Sequence, residues 1–308
     1  MENTGSFRSR IYVAAYFAVW TVALLVLRTL YGFEASEALA ALVILGLIFP
    51  ALALLATRGV PPLPCVVLRP KFETTMLVAY LAVIAVVLVW GFGAVARITT
   101  EPLHSFILLS VKLVTVIAFP AALLLTSGQY RIRELIPASL NWVQLRPALW
   151  MSLAALLMQL LLGRGLRDIR DAHLPVWILV VATPLSFAWL VLEAGIVEEF
   201  FFRALLQERL EAVLRSSWGA LVVAALLFGL VHAPGLYLRP AATQEMIGSH
   251  PAILKAVAYS IAMPSLAGLF LGVLWMRTRN FATVVIVHAA GDLLPNLVPW
   301  IKAFHLAR

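Results

Sequence analysis

Nine long apolar runs set the strongest constraint on this chain. They cover roughly residues 11–29, 38–57, 75–96, 105–126, 147–163, 175–207, 218–236, 252–276 and 281–301. Clusters of Pro, Gly and charge separate them, as in RGVPPLP, GQYRIREL, GRGLRDIRDAH and MRTRN. A bilayer-spanning helix takes about 20 apolar residues. Backbone in lipid must satisfy its own hydrogen bonds, so runs of this kind become helices. Composition agrees. The chain is 63% hydrophobic and 12% charged, whereas soluble domains average about 45–50% and about 25%. The fold class read here is all-α, a polytopic transmembrane bundle of about 8–9 helices. The first run is too long for a signal-peptide core and no clean small-residue cleavage site follows it, so it reads as a span.

The single cysteine, Cys65, excludes an intramolecular disulfide and any zinc site of several thiolates. The net charge of +8 is spread in ones, twos and threes, with no basic block. That pattern anchors loops on an anionic leaflet rather than binding nucleic acid. With nine spans, one side collects Arg8, Arg10, Arg58, Arg69, Lys71, Arg131, Arg133, Arg146, Arg203, Arg209, Arg215, Arg277 and Arg279. The other side holds a smaller set that includes Arg239 and Arg308. The bias places the N-terminus on the cytoplasmic side of an inner cell membrane. Run 175–207 is too long for one straight span, and Pro184 is expected to kink it or to split off a short lead-in piece. Gly268 and Gly272 form a GxxxG, expected to give close packing within the bundle.

The chemistry lies in the charges that interrupt the spans. These are Lys112, Glu193, Glu198, Glu199, Arg203, His232, His288 and Asp292. A charge at mid-membrane costs about 2.5–3.5 kcal/mol on insertion scales, so such residues usually mark a polar site. In VEEFFFR, Glu199 and Arg203 are four apart and share a helix face. Glu198 points to a neighbouring face and is free for another partner. A carboxylate in so dry a setting suits a general base near neutral pH.

Depth brings these groups together. Glu198 lies about 13 Å from Gln207, and His288 about 11 Å from Phe281, at 1.5 Å per residue. Asp292 is one turn beyond His288 on the same face. His232 comes out about 21 Å from Trp218, a poorer match unless its helix starts below the surface or tilts. One Glu, two His and one Asp in one layer supply a base and oxyanion donors for hydrolysis. Alternatively, His232, His288 and Glu198 hold a metal, or the set relays protons or ions in a transporter or channel. A transporter predicts inverted repeats, and none is visible. A catalytically silent scaffold is the third reading. The sequence has no HExxH and no Gly-x-Ser-Gly segment. AAGD is like the GxGD of aspartyl intramembrane proteases, but Asp168 and Asp171 lie in a charged loop, so a second membrane Asp is missing.

Three motifs then carry a resemblance. VEEFFFR resembles the EExxxR of the CAAX-protease and bacteriocin-processing family of intramembrane endopeptidases, the type II CAAX prenyl protease kind. FGLVH, Phe228 to His232, is similar to its FxxxH, and HAAGD, His288 to Asp292, to its HxxxN/D. The resemblance covers roughly residues 130–300. It implies an N-terminal group of helices, 1–130, outside the family, and a catalytic domain, 131–308. It implies that Glu198 activates water with help from His232. His288 and Asp292 would stabilise the oxyanion, while Glu199, Arg203 and Phe228 brace the site. Family members with known substrates cleave near the C-terminus of prenylated proteins, or process or protect against small peptides. They are described as glutamate-dependent, so no cofactor and no metal is expected. The implied partners are a membrane-anchored peptide or protein and the bilayer. Two positions depart from the pattern: Ala204 stands where Gly is usual, and Asp292 where Asn is common. An ionised Asp cannot donate to an oxyanion, so Asp292 is expected to accept from His288 and orient its ring.

Overall fold

The structure, a computed structural model, describes residues 2–95, 97–128, 130–238, 247–248 and 251–306. Arg239 and Arg308 lie outside the described residues. Among those described, nine helices are long and apolar enough to cross a membrane, and there are no strands. They are α1 Phe7–Tyr31, α2 Ala35–Ala56, α3 Pro70–Val95, α4 Leu103–Ser127, α5 Trp142–Leu162, α6 Val176–Leu214, α7 Ser217–Tyr237, α8 Ile253–Thr278 and α9 Phe281–Ala303. The chain is an all-α, multi-pass integral membrane protein.

Helices α7, α8 and α9 form the centre. Over their most apolar stretches they are 56%, 72% and 61% buried, whereas no other span exceeds 28%. The outer helices leave Trp90, Val180 and Leu161 to lipid. Gly268 and Gly272 face inward, as their spacing implies. A Cβ on Gly268 would lie 2.9 Å from the Ala225 backbone, and one on Gly272 would meet Gln207 and Leu221. The N-terminal helices share the core. Trp20 on α1 donates to the Ala262 carbonyl of α8 at 3.0 Å, and Tyr16 bonds Ser265 at 2.8 Å.

Proline shapes several spans. It lacks an N–H, and its ring collides with the carbonyl four residues back. Before Pro50 and Pro120, the helix widens into π-helical turns at Leu42–Ile48 and Leu113–Ala118. These turns contain Gly46 and Val116, the residues whose carbonyls the rings would strike. At Pro184 the expected split into a separate lead-in piece does not occur. Helix α6 passes through it unbroken, with no separate lead-in piece. The irregularity falls instead at two π-helical stretches, Val191–Ile196 and Phe200–Gln207, which flank Val197–Glu199. The whole helix has 39 residues, about 58 Å long, about twice the thickness of a hydrocarbon core.

Two hairpin turns set the register. Arg215, at φ 50°, turns α6 into α7, and Ser216 caps α7 by accepting from Gly219 N–H. Arg279, at φ 47°, turns α8 into α9. Its guanidinium reaches Glu208 at 3.0 Å and Glu211 at 3.1 Å, which fixes this turn against α6. Burial opposes the Arg279 charge, but Glu208 and Glu211 outweigh it and leave the group above its ordinary pKa. Asn280 completes the join by bonding both backbone groups of Ser139.

A second buried ion pair ties α3 to α6. Glu73, in the first turn of α3, receives Arg209 at 2.9 Å and the Arg69 N–H at 2.7 Å. Tyr130 donates its hydroxyl to the same carboxylate, 2.8 Å from each oxygen. Arg203 and Arg209 are thus buried bundle residues, not the loop charges that the sequence count made them. Breaking such a pair strands its partner, so Glu73→Ala should lower the unfolding free energy in detergent by about 3–5 kcal/mol. Tyr130→Phe should cost about 1 kcal/mol. Equal losses would contradict this account.

Cys65 lies beside Glu208 in a cavity also lined by Glu211, Arg215 and Arg279. Burial, reinforced by Glu208, pushes its thiol pKa up to about 12, while Arg279 pulls it back only partly. At pH 8 the thiolate fraction falls about a thousand-fold below that of a thiol at its ordinary value. Alkylation of Cys65 should therefore be slower by about that factor in the folded protein than in urea. It should rise tenfold per pH unit. Rapid labelling of the folded protein at pH 8 is the contrary result.

Candidate active site

Helix α6 brings Glu198 and Glu199 to a layer that α7 and α9 also reach. The hairpins explain how. Glu198 lies sixteen residues before Leu214, and His232 fifteen after Ser217, so both are about 22–24 Å from the α6–α7 turn. Helix α6 extends past Gln207, and that removes the apparent depth mismatch of His232. The α8–α9 turn sits level with Glu208, which is ten residues from Glu198. His288 is nine residues from Arg279. Both distances are about 14–15 Å.

The structure brings Glu198, His232, His288 and Asp292 together. The Glu198 Oε2 lies 3.8 Å from His232 Nε2 and 3.9 Å from His288 Nε2. Helix α7 is interrupted after Leu230, and His232 sits at that break. Its Nδ1 is 2.7 Å from the Phe228 carbonyl. A carbonyl only accepts, so Nδ1 carries a proton and the ring turns its Nε2 edge toward Glu198.

His288 is held from both sides. Its Nδ1 is 2.6 Å from Glu199 Oε1, and its Nε2 is 3.4 Å from Asp292 Oδ2. The tighter hold is Glu199, which the sequence reading paired only with Arg203. Glu199 keeps that pairing as well, with Arg203 Nε 3.1 Å from its Oε2. Arg203 also donates to the Gly268 carbonyl at 3.3 Å. Its guanidinium lies 4.4 Å from the centre of the Phe228 ring. That ring also meets both imidazoles, at 5.0 Å for His232 and 6.2 Å for His288. A cation over a desolvated aromatic face gains about 2 kcal/mol.

Exposure is graded across the site. Side-chain values run from 40% at Asp292 and 33% at His232 through 19% at Glu198 and 9% at His288 to 0% at Glu199. The first two form a mouth and Glu199 a floor.

Lys112 and Glu193 pair with each other, each still partly exposed. Lys112 comes from α4 and also feels the charges of Glu198 and Asp292. Among the described residues, no group of three or more His, Cys, Asp or Glu is disposed to hold a metal ion.

Gln159 on α5 escaped the sequence reading. It donates to the Ala290 carbonyl at 3.2 Å and to the Gly291 carbonyl, and accepts from Leu294 N–H at 3.1 Å. An uncharged amide in a span gives little signal. The available hint was Pro295 one turn past Gly291 on α9.

Residues 174–294 match the family model described as Type II CAAX prenyl endopeptidase Rce1-like. This segment is Rce1-like. It holds Glu198, Glu199, Arg203, His232, His288 and Asp292, but not Lys112, Gln159 or Glu73. The match supports a CAAX intramembrane protease role for the chain. No curated protein and no solved structure matches it.

Proposed function

We propose that the protein is a glutamate-dependent, metal-independent intramembrane endopeptidase acting on a prenylated or otherwise membrane-anchored protein or peptide. One observation carries the reading most. The Glu198 carboxylate faces two imidazole Nε2 atoms at 3.8 and 3.9 Å. These separations exceed a direct hydrogen bond and suit groups that share one water.

In this reading Glu198 takes a proton from that water, and the hydroxide attacks the scissile carbonyl carbon. His232 accepts through Nε2 and keeps the water in line. His288, carrying both ring protons, points Nε2–H at the developing oxyanion. Glu199 accepts from Nδ1–H behind the ring, and Asp292 holds the single Nε2–H until the oxyanion takes it over. Glu198 then returns its proton to the leaving amine as the carbon–nitrogen bond breaks. The products are a new carboxylate and a new amine. Arg203 and Phe228 lie beneath and keep Glu199 in place.

The test is hydrolysis of a panel of membrane-anchored peptides, prenylated and not, by purified wild type and Glu198→Gln, with and without chelator. The expected result is cleavage that Glu198→Gln loses, by about 10²-fold or more, and that chelator leaves unchanged. Loss with chelator transfers the chemistry to a metal held by Glu198, His232 and His288. No cleavage by wild type points to a transporter or a scaffold. Asp292→Asn should keep much of the activity and Asp292→Ala should lose it. Equal loss in both removes Asp292 as an acceptor that orients His288.

A further inference from the structure

We propose that Gln159 is a positioning residue for Asp292, acting through the helical turn that Pro295 disrupts. The inference rests on the protease reading for its consequence, though not for its geometry.

In an unbroken helix the N–H of residue 295 bonds the carbonyl of residue 291. Pro295 has no N–H, and its ring pushes the Gly291 carbonyl away from the helix axis. That carbonyl adjoins Asp292 directly and lies three residues after His288. Buried backbone carbonyls need a partner in a bilayer. The Gln159 carboxamide provides it, donating to Gly291 O and also to Ala290 O at 3.2 Å. The same amide accepts from Leu294 N–H at 3.1 Å. Both ends of one side chain thus bind backbone on either side of Asp292.

Gln159 is 3% exposed, so these contacts are shielded from competing solvent. The Asp292 carbonyl is held separately by Asn296, one turn on, at 2.8 Å. With its backbone fixed, the Asp292 side chain is delivered to His288 Nε2 at 3.4 Å, the nitrogen that Glu198 also faces, while Glu199 holds Nδ1 on the other side of the ring. Gln159 touches none of these side chains. Its helix, α5, lies outside the matched segment, so an element beyond the Rce1-like region sets the geometry within it.

The mechanism makes a specific demand. If Gln159 matters because Pro295 leaves the turn short of a donor, restoring the N–H should make Gln159 dispensable. The experiment is a double-mutant cycle of Gln159→Met and Pro295→Ala in the full-length protein. Two readouts are needed: kcat and KM on a membrane-anchored peptide that wild type cleaves, and the titration of the His288 ring by nitrogen NMR in nanodiscs. Gln159→Met should lower kcat about 10- to 100-fold with KM little changed, and should displace the His288 titration curve. In the Pro295→Ala background the same substitution should change either readout less than about twofold. Equal effects in both backgrounds overturn the proposal, as does a loss of thermal stability with kcat and titration unmoved. Should Gln159→Met alone not fold, recovery of fold and titration in the double mutant supports the link, and no recovery overturns it. Should wild type cleave nothing, the protease reading fails, and the titration cycle still decides whether Gln159 places Asp292.

Discussion

A charge inside a bilayer must be matched, and that requirement organises this protein. Arg203 meets Glu199, Arg209 meets Glu73, and Lys112 meets Glu193. Each pair is drawn from a part of the chain that the apolar core alone does not fix. Burying one member without the other leaves an uncompensated charge and costs several kcal/mol. The two pairs that join different helices, Arg209 with Glu73 and Lys112 with Glu193, therefore select one register from the many that similar apolar faces allow. Among the described residues, Glu198 has no Lys or Arg within ion-pair distance, and imidazoles face it instead. An unmatched carboxylate beside titratable rings is where proton transfer is cheapest to arrange.

The second requirement is that polar backbone exposed by proline be satisfied without water. The chain meets it in two ways. Before Pro50 and Pro120 the helix widens and absorbs the distortion within itself. At Pro295 a side chain from another helix supplies the missing donor. The first solution leaves a span self-contained. The second makes α9 depend on α5, and it occurs in the turn after Asp292. Helix α6 uses widened turns without a proline at either stretch, immediately before and after Val197–Glu199. Such turns recur at functional sites because they re-aim side chains that an ideal helix would fix.

Much of this was legible in the sequence, for physical reasons. Apolar runs of membrane length have one stable solution, so all nine spans are visible, eight within about five residues of their bounds and α6 seven residues short at its C-terminal end. The eight polar interruptions stood out because their insertion cost makes accidents rare. Their partners were less legible. Arg209 sits near the end of α6 and counts as a loop charge, while nothing local marks Glu73, 136 residues away, as its partner. The pairing of Lys112 with Glu193 depends on the approach of α4 to α6, which no local pattern encodes. The length of α6 misled the depth estimate for Glu198, since Gln207 looked like an inner end and the helix continued to Leu214. Pro184 marked a kink or a split, and the helix is not split there.

The exposure gradient limits what each residue can do. Arg203 is only 1% exposed and lies behind Glu199 and under the Phe228 ring. A substrate cannot reach it, so its influence passes through Glu199 and from there to His288. His288, at 9%, shows only one edge to the site, because Glu199 occupies the Nδ1 side. His232 and Asp292 stand nearer the mouth, on different helices, with Glu198 deeper than both. A peptide entering from that side meets an imidazole and a carboxylate before it meets Glu198. The order suits delivery of water to the base and of a carbonyl to His288. It also separates two kinds of polarity along the same path. The floor is fixed by ion pairing, while the mouth is the more exposed end of the site.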